Sequence, residues 1–141
     1  MNERELPNLY SLTAIGVGTF LGSVLAAGYM LASNYAALGQ KKLSNWVIGI
    51  SLFWVTLMLF MPTDWSTSPG PAIVLLIGQV IAVLLITQKL QGAMFKTYEE
   101  MGGRYFTIWR AVLVGVVASF ALLFGAVFLM ALFGSTPQPP S

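Results

Sequence analysis

The chain lacks cysteine and histidine altogether, and these two absences exclude several classes of protein. Without cysteine there is no disulfide framework and no thiolate nucleophile. Without either residue, the usual zinc, iron–sulfur and histidine-ligated haem sites cannot form, which excludes a four-helix membrane cytochrome. Because histidine is also the commonest general base, we expect a protein that is not an enzyme and that holds no metal and no cofactor.

Charged residues are also scarce, at 9% of the chain, whereas hydrophobic residues make up 57%. An ordinary soluble domain carries about 25% charged residues, and so few charges cannot cover a soluble surface. The net charge of +2 is too small to indicate a nucleic-acid partner. The basic residues lie beside apolar segments, where they meet lipid headgroups. The composition therefore predicts one membrane domain with the lipid bilayer as a partner.

Four apolar segments have the length of membrane spans, which predicts an all-α fold, an integral membrane four-helix bundle. The predicted parts are an outer leader at residues 1–11, spans at about residues 12–38, 46–61, 72–101 and 106–133, and a disordered outer tail at residues 134–141. Ser44 or Asn45 is expected to cap the second span. The third span includes an extension beyond the inner membrane boundary, with Leu90, Met94, Tyr98 and Met101 on its apolar stripe.

Lysine and arginine are concentrated beside the first and third linkers, which predicts the orientation of the chain. The cations on that side are Lys41, Lys42, Lys89, Lys96, Arg104 and Arg110, and the opposite side holds only Arg4. Because cytoplasmic loops carry the excess of basic residues, we expect these linkers inside. Both termini and the loop containing Asp64 would then face outward.

The two halves of the chain share a pattern at their inner ends. Each has a helical extension closed by glycine, at Gly39 and at Gly102, because glycine tolerates the left-handed conformation that ends a helix. A basic turn and a tryptophan then lead into the next span. The alternatives are two parallel helical-hairpin repeats and a similarity common to all inner span ends.

Small residues recur at intervals of four in the first span, and a similar set occurs in the fourth. The first set is Ala14, Gly18, Gly22 and Ala26, and the second is Ala111, Gly115 and Ser119. This spacing places each set on one helix face, where another backbone can approach closely. The stripe is either a homodimer interface or the contact between spans one and four, and we favour the second because the chain must first pack itself.

Polar residues in and beside the spans are the remaining candidates for a site. Gln79 lies deep in a span, where it either lines a solute path or hydrogen-bonds a neighbouring helix through Ser51, Thr56 or Ser119. We expect an inner face that contacts a partner or lipid, made of Asn34, Tyr35, Lys41, Lys42, Met94, Tyr98, Arg104 and Arg110. For Asn34 and Tyr35 we favour hydrogen bonding at opened helix ends, and the alternative is a polar notch for a headgroup or partner. For Lys96 the alternatives are an ion pair with Glu100 and a contact with an inner-face partner.

Two strings in the chain carry a resemblance to a known group of proteins. They are FLGSVLAAGYMLASNYAALGQ at residues 20–40 and LQGAMFKTYEEMGGRYFTIWRA at residues 90–111. Both resemble small uncharacterised bacterial integral membrane proteins with four spans. The resemblance implies a bacterial inner-membrane location and no particular activity.

Three functions remain compatible with the sequence. The first is a non-enzymatic accessory protein that acts by helix packing with a membrane partner or with a second copy in a homo-oligomer. The second is a small oligomeric transporter or channel, although such proteins normally keep an ionisable residue in the membrane. The third is an immunity protein that binds a toxin in the membrane. We favour the first.

Overall fold

The computed structural model describes residues 5–60 and 69–134, and these residues form four helices. The helices are α1 (Leu12–Ala37), α2 (Lys41–Leu59), α3 (Pro69–Glu100) and α4 (Ile108–Phe133). By total length and composition alone, all four are apolar enough to cross a membrane, although α1 is broken within its length. The prediction of an all-α four-helix bundle is confirmed, and the chain is a multi-pass membrane protein. The predictions for Arg4, Asp64 and the tail after Gly134 lie outside the described residues.

Three helices begin at other residues than predicted, each for a local reason. Helix α2 begins at Lys41, before the expected caps, because the turn at Gly39 is tight and Gln40 already occupies the N-cap position. Helix α3 already includes Pro69, the first described residue of its segment, and proline is compatible with the first turn of a helix. Helix α4 begins at Ile108, because the backbone N–H of Phe106 donates to the Leu9 carbonyl at 2.8 Å in an extended pairing.

Helix α1 is interrupted at Ser23, whose φ of 58° and ψ of −161° are not helical. The break separates a first arm, residues 12–22, from a second arm, residues 24–37. A Cβ atom built on Gly18 would overlap Cε of Met30, although a straight helix would separate the two Cα atoms by about 18 Å. The two arms therefore fold back on each other as a helical hairpin.

The two ends of this hairpin lie side by side. The backbone N–H of Tyr10 donates to Oδ1 of Asn34 at 2.7 Å, and Nδ2 of Asn34 donates to the Tyr10 carbonyl at 2.9 Å. The predicted unbroken helix over residues 12–38 is thus corrected. At 1.5 Å per residue the arms are about 16 and 21 Å long, and each is shorter than the ~30 Å hydrocarbon core of a bilayer.

The hairpin is the centre of the fold, and the other three helices pack around it. Helices α2, α3 and α4 each make extensive contacts with α1, whereas none of them packs extensively on another among the described residues. We call these three the peripheral helices. The core consists mainly of hairpin residues, including Ala14, Ile15, Ala26, Ala27 and Met30.

The contacts of α1 fix the direction of each neighbour. Gly16 of the first arm lies against Leu84, with Leu12 near Gln88, so this arm is antiparallel to α3. The same arm is parallel to α4, since Gly18 lies against Ala111 and Gly22 against Gly115. The starts of α1, α2 and α4 and the end of α3 therefore all meet at one end of the molecule.

That end carries every charged residue that the structure describes, and we call it the charged end. Its charged residues are Glu5, Lys41, Lys42, Lys89, Lys96, Glu99, Glu100, Arg104 and Arg110. Leu9 forms a β-bridge with Tyr105 in the linker between α3 and α4. The leader and this basic linker were predicted on opposite sides, and the contact corrects that prediction, because the turn at Ser23 returns α1 to its starting side.

Helices α1 and α3 end in the same way at the charged end. Gly39 has a φ of 78° and Gly102 a φ of 76°. The N–H of Gln40 donates to the carbonyl of Tyr35 at 2.8 Å, and the N–H of Gly103 donates to that of Tyr98 at 2.9 Å. These are two equivalent glycine caps, as the sequence pattern predicts.

Candidate functional site

A buried polar cluster lies where the hairpin ends meet α3, and we define it as Tyr10, Asn34, Thr87 and Gln91. All four residues are at most 1% exposed. The side chain of Asn34 pairs with both backbone groups of Tyr10 and also donates to Oε1 of Gln91 at 3.3 Å. One amide thus joins the leader, the second arm and α3, which locks the hairpin closed.

Two atoms of this polar cluster have no hydrogen-bond partner among the described residues, namely Oγ1 of Thr87 and Nε2 of Gln91. The two residues are one helical turn apart on α3 and are both fully buried. Leaving a buried polar group unpaired costs about 1–3 kcal/mol, and each such group in a folded protein needs an explanation. The polar cluster therefore has unused hydrogen-bonding capacity.

Tyr98 attaches the leader to the linker that follows α3. Its single hydroxyl proton is shared between the carbonyls of Pro7 and Arg104, the latter at 2.7 Å, and its oxygen accepts from the N–H of Arg104 at 3.1 Å. Its ring packs against Tyr105 with centroids 5.6 Å apart. The side chain is 1% exposed, so it fixes the leader and is not a surface for a partner.

Aromatic residues contact two of the charged side chains at the charged end. The guanidinium of Arg110 lies 4.0 Å from the ring centre of Phe106, and its Nε donates to the hydroxyl of Tyr10 at 3.0 Å. The hydroxyl of Tyr105 donates to Oε1 of Glu99 at 2.9 Å. Burial, together with this hydrogen bond, raises the pKa of Tyr105 well above its usual range, so the phenol stays protonated.

The small residues of α1 and α4 face each other within the chain. A Cβ atom on Gly22 would lie 2.5 Å from the carbonyl oxygen of Gly115 and 2.8 Å from Cβ of Ala118. Ala14, Gly18 and Ala111 are buried as well. Ala26 is also buried, but it lies beyond the break at Ser23 and therefore belongs to the second arm.

Ser119 bonds to the backbone close to the break in α1. Its hydroxyl donates to the carbonyl of Leu21, two residues before Ser23. A helix break leaves carbonyls without their usual intrahelical donors. The contact therefore attaches α4 to the turn of the hairpin by a hydrogen bond in addition to close packing.

Gln79 is half-buried on α3 and makes no hydrogen bond with any residue in the described part of the chain. Its three expected partners are engaged elsewhere. Ser119 bonds to Leu21, Thr56 donates to the carbonyl of Leu52 in its own helix, and Ser51 packs on Gly28. The structure does not bring Gln79 into the polar cluster.

The residues predicted for an inner contact face divide into two groups. Asn34, Tyr35 and Tyr98 are buried inside the protein, so they are corrected as contact residues, because each serves internal hydrogen bonding or packing. Met94 packs partly buried against the core. Lys41, Lys42, Arg104 and Arg110 remain exposed at the charged end. Among the described residues Lys96 forms no ion pair with Glu100, although the two are four residues apart.

Four residues of the hairpin and the polar cluster were not predicted from the sequence, namely Ser23, Tyr10, Thr87 and Gln91. The buried residues of α3 are Val83, Thr87, Gln91, Phe95 and Tyr98. Of the predicted stripe, Tyr98 is among them, whereas Leu90 and Met101 are about 60% exposed. Thr87 and Gln91 are polar residues four positions apart near the C-terminal end of an apolar segment. This helical spacing could have indicated a buried polar cluster. Nothing in the residues around Ser23 distinguishes a turn from a continuous helix.

The described residues contain no group of three acidic side chains that could hold a metal ion. Comparison of the chain with models of protein families, with curated proteins and with solved structures gives no match. The geometry of the helices and of the polar cluster is therefore the basis for the proposals below.

Proposed function

We propose that the chain is a non-enzymatic membrane accessory protein whose peripheral helices pack against a membrane-protein partner or a second copy. The observation that supports this proposal is the position of the glycines. Gly49, Gly78 and Gly125 lie on α2, α3 and α4 with open space within 4 Å of where a Cβ would stand. Each costs about 1 kcal/mol of helix stability relative to alanine, and small residues on a membrane helix permit close approach by another helix.

The glycines of the hairpin show what such residues do when a neighbour is present. Gly16, Gly18, Gly22 and Gly28 all have other side chains or backbone within contact distance. Gly49, Gly78 and Gly125 of the peripheral helices have no such neighbour among the described residues. A partner helix packed at these three positions could approach as closely as the neighbours of the hairpin glycines do.

The distribution of charge supports a role without catalysis. Every charged residue that is described lies at the charged end, and the hydrophobic lengths of α2 and α4 contain no acid or base. A proton-transfer or hydrolytic reaction needs titratable groups placed around a substrate. Helix packing needs none.

We place the protein in a bacterial inner membrane with the charged end in the cytoplasm. The excess of lysine and arginine at that end supports this orientation. In this proposed orientation Leu9, which pairs with the linker before α4, would lie inside, and the end of α4 would lie outside. This differs from the orientation expected from the sequence, in which both termini lie outside.

Cysteine crosslinking in native membranes tests the packing proposal. The chain has no cysteine of its own, so Gly49→Cys, Gly78→Cys and Gly125→Cys each introduce the only thiol. We expect at least one to form a disulfide dimer with a second copy or a heavier adduct with a partner. Val74→Cys is the matched control, because Val74 is 71% exposed and is not a glycine position. Absence of any adduct above this control would contradict the proposal.

A second candidate, a small-solute transporter or channel, is favoured by the break in α1. Broken helices are found in membranes where the freed backbone lines a cavity or a binding site, and the polar cluster supplies two unpaired atoms. Light-scattering assays of proteoliposomes in glycerol or urea test this function. Flux that falls in Thr87→Val, which removes only the hydroxyl, would support it, and flux no greater than in empty vesicles would exclude these solutes.

A further inference from the structure

A surface groove lies between the first arm of the hairpin and α3. Its apolar part has a volume of about 500 Å³ and is lined by residues that include Val17, Phe20, Val80 and Leu84. Gly16 also lines this part, and a Cβ there would lie 3.1 Å from the Leu84 side chain. Glycine at this position therefore lets α3 approach the first arm closely beside the groove.

A second, polar part of about 320 Å³ continues from the first toward the charged end. Leu12 and Thr13 line both parts, so the two are continuous. The polar part is also lined by Ser11, Gln88, Lys96, Glu99 and Tyr105. One groove is thus apolar at one end and polar at the other.

The length of the apolar part along α3 is close to the thickness of the hydrocarbon layer of one membrane leaflet. Val80 and Gln88 are eight residues apart on α3, which corresponds to about 12 Å along the helix. Half of the hydrocarbon core is about 15 Å. With Lys96 and Glu99 at the charged end, the polar part lies at the level of the headgroups and the apolar part at the level of the acyl chains.

The polar part presents one charge of each sign. Lys96 and Glu99 are three residues apart on α3, and Lys96 forms no ion pair with any described residue. The Glu99 carboxylate accepts one hydrogen bond from the Tyr105 hydroxyl. A headgroup with phosphate alone would meet Glu99 unfavourably, whereas a headgroup with both phosphate and ammonium complements both side chains.

We propose that this groove is a specific binding site for a phospholipid with a phosphoethanolamine headgroup. One acyl chain lies along Gly16 and Val80, the phosphate lies near Lys96, and the ammonium lies near Glu99. The site belongs to the folded hairpin and is independent of the packing of the peripheral helices with a partner.

Lipid titration followed by native mass spectrometry tests the site. The delipidated protein in mild detergent is titrated with phosphatidylethanolamine and, separately, with phosphatidylglycerol. We expect one saturable phosphatidylethanolamine per chain and weaker binding of phosphatidylglycerol. Val80→Phe fills the apolar part and should weaken binding about tenfold. Lys96→Gln and Glu99→Gln should each weaken it about threefold, as expected for exposed charge contacts.

Matched variants keep the test decisive. Val74→Phe and Lys89→Gln alter α3 outside the groove and should bind like the unaltered protein. Thr13→Trp fills the groove from an exposed position, so it replaces Val80→Phe if that variant melts early. Equal binding of the two lipids, or full binding in both Val80→Phe and Thr13→Trp, would overturn the proposal.

Discussion

Helix α1 and the peripheral helices have similar apolar compositions but opposite environments. In the most hydrophobic stretch of α1, 56% of the residues are buried inside the protein. The corresponding share is 11% in each of α2, α3 and α4. The difference arises from the fold-back at Ser23, because a hairpin supplies two helical surfaces that bury one another and still contact three neighbours. Hydropathy alone does not separate these two environments.

The polar residues of the two regions differ in the same way. In and around the hairpin, Asn34, Gln91 and Ser119 make contacts between elements. On the peripheral helices, Thr56 bonds only within its own helix and Gln79 bonds to nothing that is described. Substitutions at the hairpin should therefore be costly, and equivalent ones on the outer faces should be tolerated.

Replacement of Asn34 should have the largest effect. Asn34→Leu leaves the buried N–H and carbonyl of Tyr10 without partners, at about 1–3 kcal/mol for each group. We expect a large fall in the melting temperature in detergent. Asn45→Leu is the control, because Asn45 is exposed on α2, and it should melt like the unaltered protein. Equal melting of the two variants would show that Asn34 does not hold the hairpin.

Replacement of Gly22 should have the next largest effect. Gly22→Leu places a side chain against the backbone of Gly115, and such overpacking costs about 1–3 kcal/mol. Gly125→Leu puts the same side chain into open space, so its thermal stability should stay the same or rise. If Gly125→Leu were the less stable variant, the packing of α1 on α4 described above would be wrong.

Loss of the Ser119 hydroxyl should have the smallest measurable effect. Ser119→Ala removes the hydrogen bond to Leu21, and hydrogen bonds between membrane helices are worth about 0.6–2 kcal/mol. Thr56→Val removes a hydroxyl that bonds within one helix, and we expect almost no change. Thermal melting of both variants side by side measures the difference, and a larger effect for Thr56→Val would contradict it.

Much of the fold follows from the sequence, because hydrophobic length and glycine caps are local properties. Four apolar segments predict four helices, and Gly39 and Gly102 end two of them with positive φ angles. The small residues of α1 and α4 were expected to meet within the chain, and in the structure Gly22 lies against Gly115. Each of these features depends on spacing within a single helix.

The fold-back could not be predicted, because it depends on contacts between residues far apart in the chain. Asn34 pairs with Tyr10 and Gln91, which are 24 and 57 residues away. In the sequence Asn34 is simply a polar residue near a span end, and Ser23 is one small residue among several. The positive-inside count identified the charged end but assigned the leader to the other side, since that count assumes that every apolar segment crosses.

The distance between two spin labels on α1 tests the helical hairpin most directly. Thr13 and Ala36 are exposed near the two ends of α1, and the absence of cysteine allows Thr13→Cys and Ala36→Cys to be labelled together. Pulsed electron paramagnetic resonance in lipid should give a distance below about 20 Å, because packed helix axes lie only 8–10 Å apart. A distance near 35 Å, the length of the same stretch as one straight helix, would contradict the hairpin.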